Sequence, residues 1–252
     1  MSLLERAIES VRRQDWTNGK LNHLIIIDDC DETADWLKEK KHKSVTWRLA
    51  RRGREDASGP SRLARLRNMA WELAGTDWVA FLDDDNEFEP QHIRTLLDCA
   101  SNGCPAVHSY RKLFHFDGQP FLEQFWPWCR EEGEAQQRYW KYVAKGILEP
   151  GSNVAREQAI SADGCRESIH IDMNVWLLRR ELVQKCAMSD QFTEEDWIAN
   201  LAEDDKLLQA LTQARIPIAS SGVASVRYYL GGYSNDFERK HPHSEAWERP
   251  SL

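Results

Sequence analysis

No run in this sequence approaches the roughly 20 consecutive apolar residues that a membrane-spanning helix needs, and its start carries no signal-peptide pattern. Phosphate-loop, nucleophile-elbow and dinucleotide fingerprints (GxxxxGK[ST], GxSxG, GxGxxG) are also missing, which removes the commonest nucleotide and acyl-transfer chemistries. The six cysteines, Cys30, Cys99, Cys104, Cys129, Cys165 and Cys186, form no CxxC pair, and no histidine stands at metal-ligand spacing from them. They read as reduced thiols of a cytoplasmic protein, not as a zinc site or a disulfide framework. Basic charge is not in excess either. The formal net charge is -8, which disfavours a general nucleic-acid binder. The basic runs at 38–43 and 48–54 read as a solvated helix face and its following loop.

What is present is ordinary globular composition. The 252 residues are 41% hydrophobic and 29% charged, enough for one generous domain or a domain with an added lobe. Residues 3–13 carry an apolar stripe at helical spacing. Leu24-Ile25-Ile26-Ile27 then reads as a strand covered on both faces, ending abruptly at Asp28-Asp29. Further helices are predicted over 32–41, 61–73 (with Ser61 as its cap), 90–99, 179–186 and 197–214, and strands over 45–49, 78–82, 106–115, 169–178 and 216–227. The alternation points to an α/β fold with a mainly parallel central sheet flanked by helices. Residues 119–144 break the rhythm and are rich in aromatics, among them Trp126, Trp128 and Trp140.

The chemistry concentrates in acidic clusters. Asp83-Asp84-Asp85 follows the clearest strand directly. Two like charges about 4 Å apart repel by roughly 1 kcal/mol even in water, so a hard divalent cation is the natural remedy. Alternation along an extended chain would point Asp83 and Asp85 the same way. Alone, the triplet suits a helix-capping turn equally well. Glu203-Asp204-Asp205 is placed near the middle of a helix, where consecutive residues fan out by about 100° and at most two can face one cleft. Asp28-Asp29 is the third cluster.

Taken in order, these segments resemble the family 2 glycosyltransferases. Residues 5–14 look like that family's first helix, Ile25-Ile26-Ile27-Asp28-Asp29 its second strand, and Arg67-Asn68 its Arg-Asn step. Phe81-Leu82-Asp83-Asp84-Asp85 is similar to the DxD segment, and Glu203-Asp204-Asp205-Lys206-Leu207 to the late Glu-Asp-x-x-Leu motif. The resemblance implies a GT-A fold with an acceptor-side lobe. Residues 1–118 would form the nucleotide-sugar-binding half, 119–235 the acceptor-binding and catalytic half, and 236–252 a polar tail. It implies Mn²⁺ or Mg²⁺ on Asp83 and Asp85, which would reach the donor diphosphate through the metal, with Asp85 favoured as the direct ligand. Asp29 would lie near the base, Arg67 near the diphosphate or ribose, and Asp204 would act as general base. The partners implied are a nucleotide-sugar donor, UDP-linked by preference, and an acceptor hydroxyl on a glycan, a lipid-linked sugar or a small molecule. Peripheral contact with a membrane stays open.

Two departures from the family pattern are visible. The usual first strand, ending in Pro-x-Tyr/Phe-Asn, has no counterpart because Met1 leads almost directly into the first helix. The histidine that many relatives carry after the late strand is also missing from Arg227-Tyr228-Tyr229-Leu230-Gly231-Gly232. The first departure keeps a second reading alive, a catalytically silent GT-A-like binding or scaffold module. A phosphatase using the triplet is disfavoured, since Glu87 stands where those enzymes carry Thr or Val.

Overall fold

The computed structural model describes residues 2–16, 18–40, 42, 44–53, 59–158, 170–199, 201–232 and 235. Its first elements are α1 (Leu3–Arg12), β1 (His23–Asp28), α2 (Asp31–Lys40), β2 (Val45–Ala50), α3 (Gly59–Leu73), β3 (Trp78–Ala80), β4 (Glu87–Phe88) and α4 (His92–Ala100). There follow β5 (Ala106–Phe114), α5 (Glu132–Ala144), β6 (Val154–Ala155), β7 (Trp176–Arg179), α6 (Val183–Cys186), α7 (Glu194–Ile198), α8 (Glu203–Gln213) and β8 (Ile218–Tyr229). This is the expected α/β alternation. The chain forms two compact units that interleave along the sequence. One comprises Met1–Asp15, Ala80–Leu177 and Pro217–Pro242; the other comprises Trp16–Val79, Leu178–Ile216 and His243–Leu252. The proposed tail, 236–252, and Cys165 lie outside the described residues; Cys30, Cys99, Cys104, Cys129 and Cys186 are free thiols. Among the described residues no helix is long and apolar enough to cross a membrane.

The first unit holds the body of a sheet whose strand order is β3-β7-β5-β8-β4, with β6 paired to β5. β5 and β8 run parallel from Ala106↔Ile218 to Phe114↔Tyr229, while β4 and β6 pair antiparallel. Between His108↔Ser220 and Tyr110↔Ala224 the register slips, and Gly222 takes the left-handed φ of 69° within that bulge. α1 begins at Ser2, whose Oγ accepts from the Glu5 N–H, and buries Ala7, Ile8 and Ser10. Ser10 and Gln14 dock it. The Ser10 hydroxyl accepts from the Phe88 N–H of β4. The Gln14 amide donates to the Glu89 carbonyl and accepts from the Ile93 N–H. Trp126, Tyr139, Ile147, Leu148 and Ala155 form a hydrophobic cluster below, with Trp128 and Tyr142 packed against it.

In the second unit β1 and β2 pair in parallel as a two-stranded sheet. The expectation of burial on both faces is corrected here: only Ile27 of β1 is buried, because each strand of such a pair is an edge. α3 packs with α6 and α8, and Ala64 and Trp71 of α3, like Leu207, Leu208 and Leu211 of α8, are fully buried. α3 starts at Gly59, so Ser61 lies inside its first turn and does not cap it. The long helix expected over 197–214 is two helices, α7 and α8. Glu203, Asp204 and Asp205 form the first turn of α8, where carboxylates offset the partial positive charge of the helix N-terminus. Asp205 accepts from the Ala202 N–H and thereby starts the helix.

Candidate active site

The strand leading to the acidic triplet is shorter than its sequence suggests. β3 stops at Ala80, and Asp84 and Asp85 sit in a turn closed by the Asn86 N–H on the Asp83 carbonyl at 3.2 Å. The extended alternation expected for Asp83 and Asp85 therefore does not apply, because the chain has left the strand before it reaches them and turns at Asp84 and Asp85. The turn is fastened from three sides within the first unit. Arg6 of α1 donates to the Asp85 carbonyl at 2.7 Å, pairs with Glu87 at 3.3 Å and lies over the Tyr229 ring. Asn86 is buried and accepts from the Tyr229 N–H at 2.9 Å. Asn174 accepts from the Asp83 N–H and donates to Asp83 Oδ2 at 2.9 Å.

The electrostatics mark Asp85. Burial, then the neighbouring charges of Asp83 and Asp84, push its carboxyl up to about 8, and no cation among the described residues pairs with it. Burial and Asp83 also raise Asp84, but its exposed surface lets water screen most of that effect. Gly232, just past β8, approaches so closely that a Cβ there would stand 2.5 Å from Asp85 Oδ2. The segment after the late strand thus reaches the triplet with bare backbone instead of a histidine.

A buried polar group that no sequence motif announced lies behind the triplet. Arg111 is fully buried, pairs with Asp172 and with Glu157 (2.6 Å), and sits 4.6 Å from the ring centres of Trp128 and Tyr228. Burial pushes Glu157 up to about 7 against the pull of Arg111. Asp172 meets the same burial but is held below the usual carboxylate range by Arg111, with His170 and Asn174 helping. Asp172 and Asn174 stand two apart in an otherwise apolar stretch, Ile171-Asp172-Met173-Asn174-Val175, the one sequence hint available.

In the second unit Asp28 and Asp29 take different environments at the end of β1. Asp28 is bracketed by Arg62 at 2.9 Å and Arg52 at 2.7 Å. Asp29 is exposed, has a left-handed φ of 47°, and meets Arg51 at 3.1 Å. Arg67 does not stand alone: its guanidinium pairs with Glu203 at the start of α8, both largely buried. Asn68 locks α3 to Met188 through paired amide hydrogen bonds of 2.8 and 2.9 Å. Asp204 is buried, and its Oδ1 accepts from the Asp205 N–H. Glu203 and Asp204 are the two buried members of this acidic trio, in keeping with the limit set by helix geometry. Arg67→Ala is expected to destabilise the protein by about 3–5 kcal/mol, because it leaves Glu203 buried without its partner. A urea titration with an unchanged midpoint would show that the pair contributes nothing.

The profile of glycosyl transferase family 2 matches residues 2–151. The chain belongs to glycosyltransferase family 2. It is 32% identical over 92 residues to WcaA of Escherichia coli (strain K12), named as a colanic acid biosynthesis glycosyl transferase; the match covers 36% of this chain and 31% of that protein. Structures of S. aureus TarS share the fold. TarS 1–349 in complex with UDP superposes with a TM-score of 0.52 at 11% identity, covering 90% of this chain and 56% of that one. Its complex with UDP-GlcNAc gives 0.52 at 12% identity, covering 97% and 59%. The family 2 chain therefore spans little more than half of that structure and about a third of WcaA. The fold is of the GT-A type, as the motif order implied.

Proposed function

We propose that this family 2 chain is an inverting glycosyltransferase that moves a sugar from a nucleoside-diphosphate donor, UDP-linked by preference, to an acceptor hydroxyl. The observation that carries the reading is the triplet itself: a carboxylate cluster on a fastened turn, with Asp85 raised to about 8 and no cation among the described residues paired with its carboxylate. Its donors are hard oxygens, which fit Mn²⁺ or Mg²⁺ and do not suit a soft metal. When bound, the cation would neutralise charge on the departing nucleoside diphosphate. Asp83 and Asp85 would hold it. Asp29 would contact the base from the end of β1. Arg67 has Glu203 as its partner, so its service to the diphosphate or ribose would require exchanging that contact. Asp204 would accept the proton of the attacking hydroxyl, giving inversion by in-line displacement. Along the chain, 1–118 would serve the donor and 119–235 the acceptor.

The aromatic segment divides by exposure. Trp126 is core, at 5% exposed, whereas Trp140 on α5 is 50% exposed and is the better candidate to stack on an acceptor sugar.

A thermal-shift panel of UDP-, GDP- and TDP-sugars with Mn²⁺ tests the reading. A rise in melting temperature for one nucleotide–metal pair is expected, and no rise with any pair would count against it. Gly232→Ala offers a finer test. The new methyl displaces the Asp85 carboxylate, a flexible side chain, without straining the backbone. Mn²⁺ affinity is expected to fall about tenfold, with the far-UV circular dichroism unchanged.

A further inference from the structure

Asp83 is held in a way that few side chains could reproduce. The Asn174 amide oxygen takes the Asp83 backbone N–H at 2.6 Å, while its Nδ2 donates to Asp83 Oδ2 at 2.9 Å and to Asp172 Oδ1 at 2.8 Å. One N–H needing an acceptor and two carboxylate oxygens needing donors leave the amide a single satisfactory orientation. Aspartate in its place would set a third carboxylate against two others. Leucine, of similar shape, would leave all three groups without this partner.

Asn174 is itself anchored. It is fully buried, and its own N–H donates to Asp172 Oδ1 at 2.9 Å. Asp172 Oδ2 receives Arg111, and the Asp172 N–H donates to Glu157 Oε2 at 3.3 Å. Arg111, seated against Trp128 and Tyr228, closes the circuit back to Glu157. A rigid chain of contacts thus runs from the aromatic core of the first unit to one carboxylate of the triplet. Such a network fixes both the backbone and the side chain of Asp83. A carboxylate that only had to cap a turn would not require both.

We propose that Asn174 is a positioning residue of the cation site, holding the Asp83 carboxylate in its metal-binding geometry, with Asp172, Arg111 and Glu157 as its rigid support. The inference rests on the metal reading of the triplet given above. Groups in this position fix the angle at which a ligand meets its metal, and their loss weakens binding about 10- to 100-fold.

The test is a titration of Mn²⁺ followed by the paramagnetic resonance signal of the free ion, with saturating UDP. Wild-type protein is compared with Asn174→Ala and Asn174→Ser, and each variant is melted in parallel. Mn²⁺ affinity is expected to fall about 10- to 100-fold in variants that keep the native circular dichroism. A network that served only the fold would lower the melting temperature and leave the Mn²⁺ affinity within about twofold of wild type; that result overturns the inference. Asn174→Ser keeps a small polar side chain at the buried position, so it supplies the reading should the alanine variant not fold. If wild-type protein binds no Mn²⁺ with UDP present, the metal reading itself fails and this inference with it. Wild-type binding with unaffected variants removes this inference alone.

Discussion

Asp85→Asn is expected to have two effects of opposite sign: it should stabilise the metal-free protein at alkaline pH and abolish its response to Mn²⁺ and UDP. The Asp85 carboxyl lies at about 8 in the folded protein against an ordinary value of 3.8, so the folded state holds this proton more tightly than the unfolded chain does. The contribution of this group is therefore fully present below about pH 4 and is lost as the pH rises towards 8. Each unit of displacement corresponds to about 1.4 kcal/mol. Asp85 is only half-buried, and water screens part of the effect, so a gain on the order of 1–3 kcal/mol at pH 8.5 is the realistic expectation for the asparagine variant. Chemical denaturation at pH 5 and 8.5 in the presence of a chelator measures it. The variant should exceed wild type at the higher pH and approach it at the lower.

The second half of that expectation follows from the same carboxylate. A cation must displace the proton to bind, so Mn²⁺ affinity should strengthen as the pH rises through about 8. Asparagine offers one neutral oxygen in place of an anionic pair. The nucleotide–Mn²⁺ thermal shift should then vanish, and transfer should fall with it. A variant that kept its Mn²⁺ response would show that the cation binds elsewhere.

Asp204→Asn is expected to leave donor and metal binding intact while turnover falls about 10²- to 10⁴-fold, the usual contribution of a positioned general base. The side chain is buried on the first turn of α8, and the substitution preserves its shape. The Asp204 Oδ1 that accepts from the Asp205 N–H can still do so as an amide oxygen. A structural consequence should therefore be small, and the loss should appear in kcat with little change in KM for the donor. Isothermal titration with Mn²⁺ and UDP, alongside slow donor hydrolysis as the readout, separates the two. Hydrolysis that proceeds at the wild-type rate would remove Asp204 from the mechanism, whereas wild-type protein that hydrolyses no donor would favour the reading of the chain as a binding module.

The order of motifs carried most of the fold. Residues 5–14 could be picked out by their resemblance to the family's first helix, and the structure docks that helix through Ser10 and Gln14. The run from Leu24 to Ile27 read correctly as a strand, but its burial did not follow, since burial depends on how many strands flank it. The break between α7 and α8 escaped a periodicity reading because residues 197–214 keep apolar spacing across it. Only the Thr193 and Asp205 backbone contacts show that two helices start where one was expected.

Local chemistry, then, was legible: which carboxylates adjoin one another, that β1 ends at Asp28, and which family such an order belongs to. All of these depend on near neighbours along the chain. The tertiary structure alone decided that Arg67 faces Glu203, that Gly232 presses on Asp85, and that Asn174 and Arg111 stand behind Asp83. Those pairings join residues far apart in sequence, and their strength comes from shared burial, which no single segment specifies by itself.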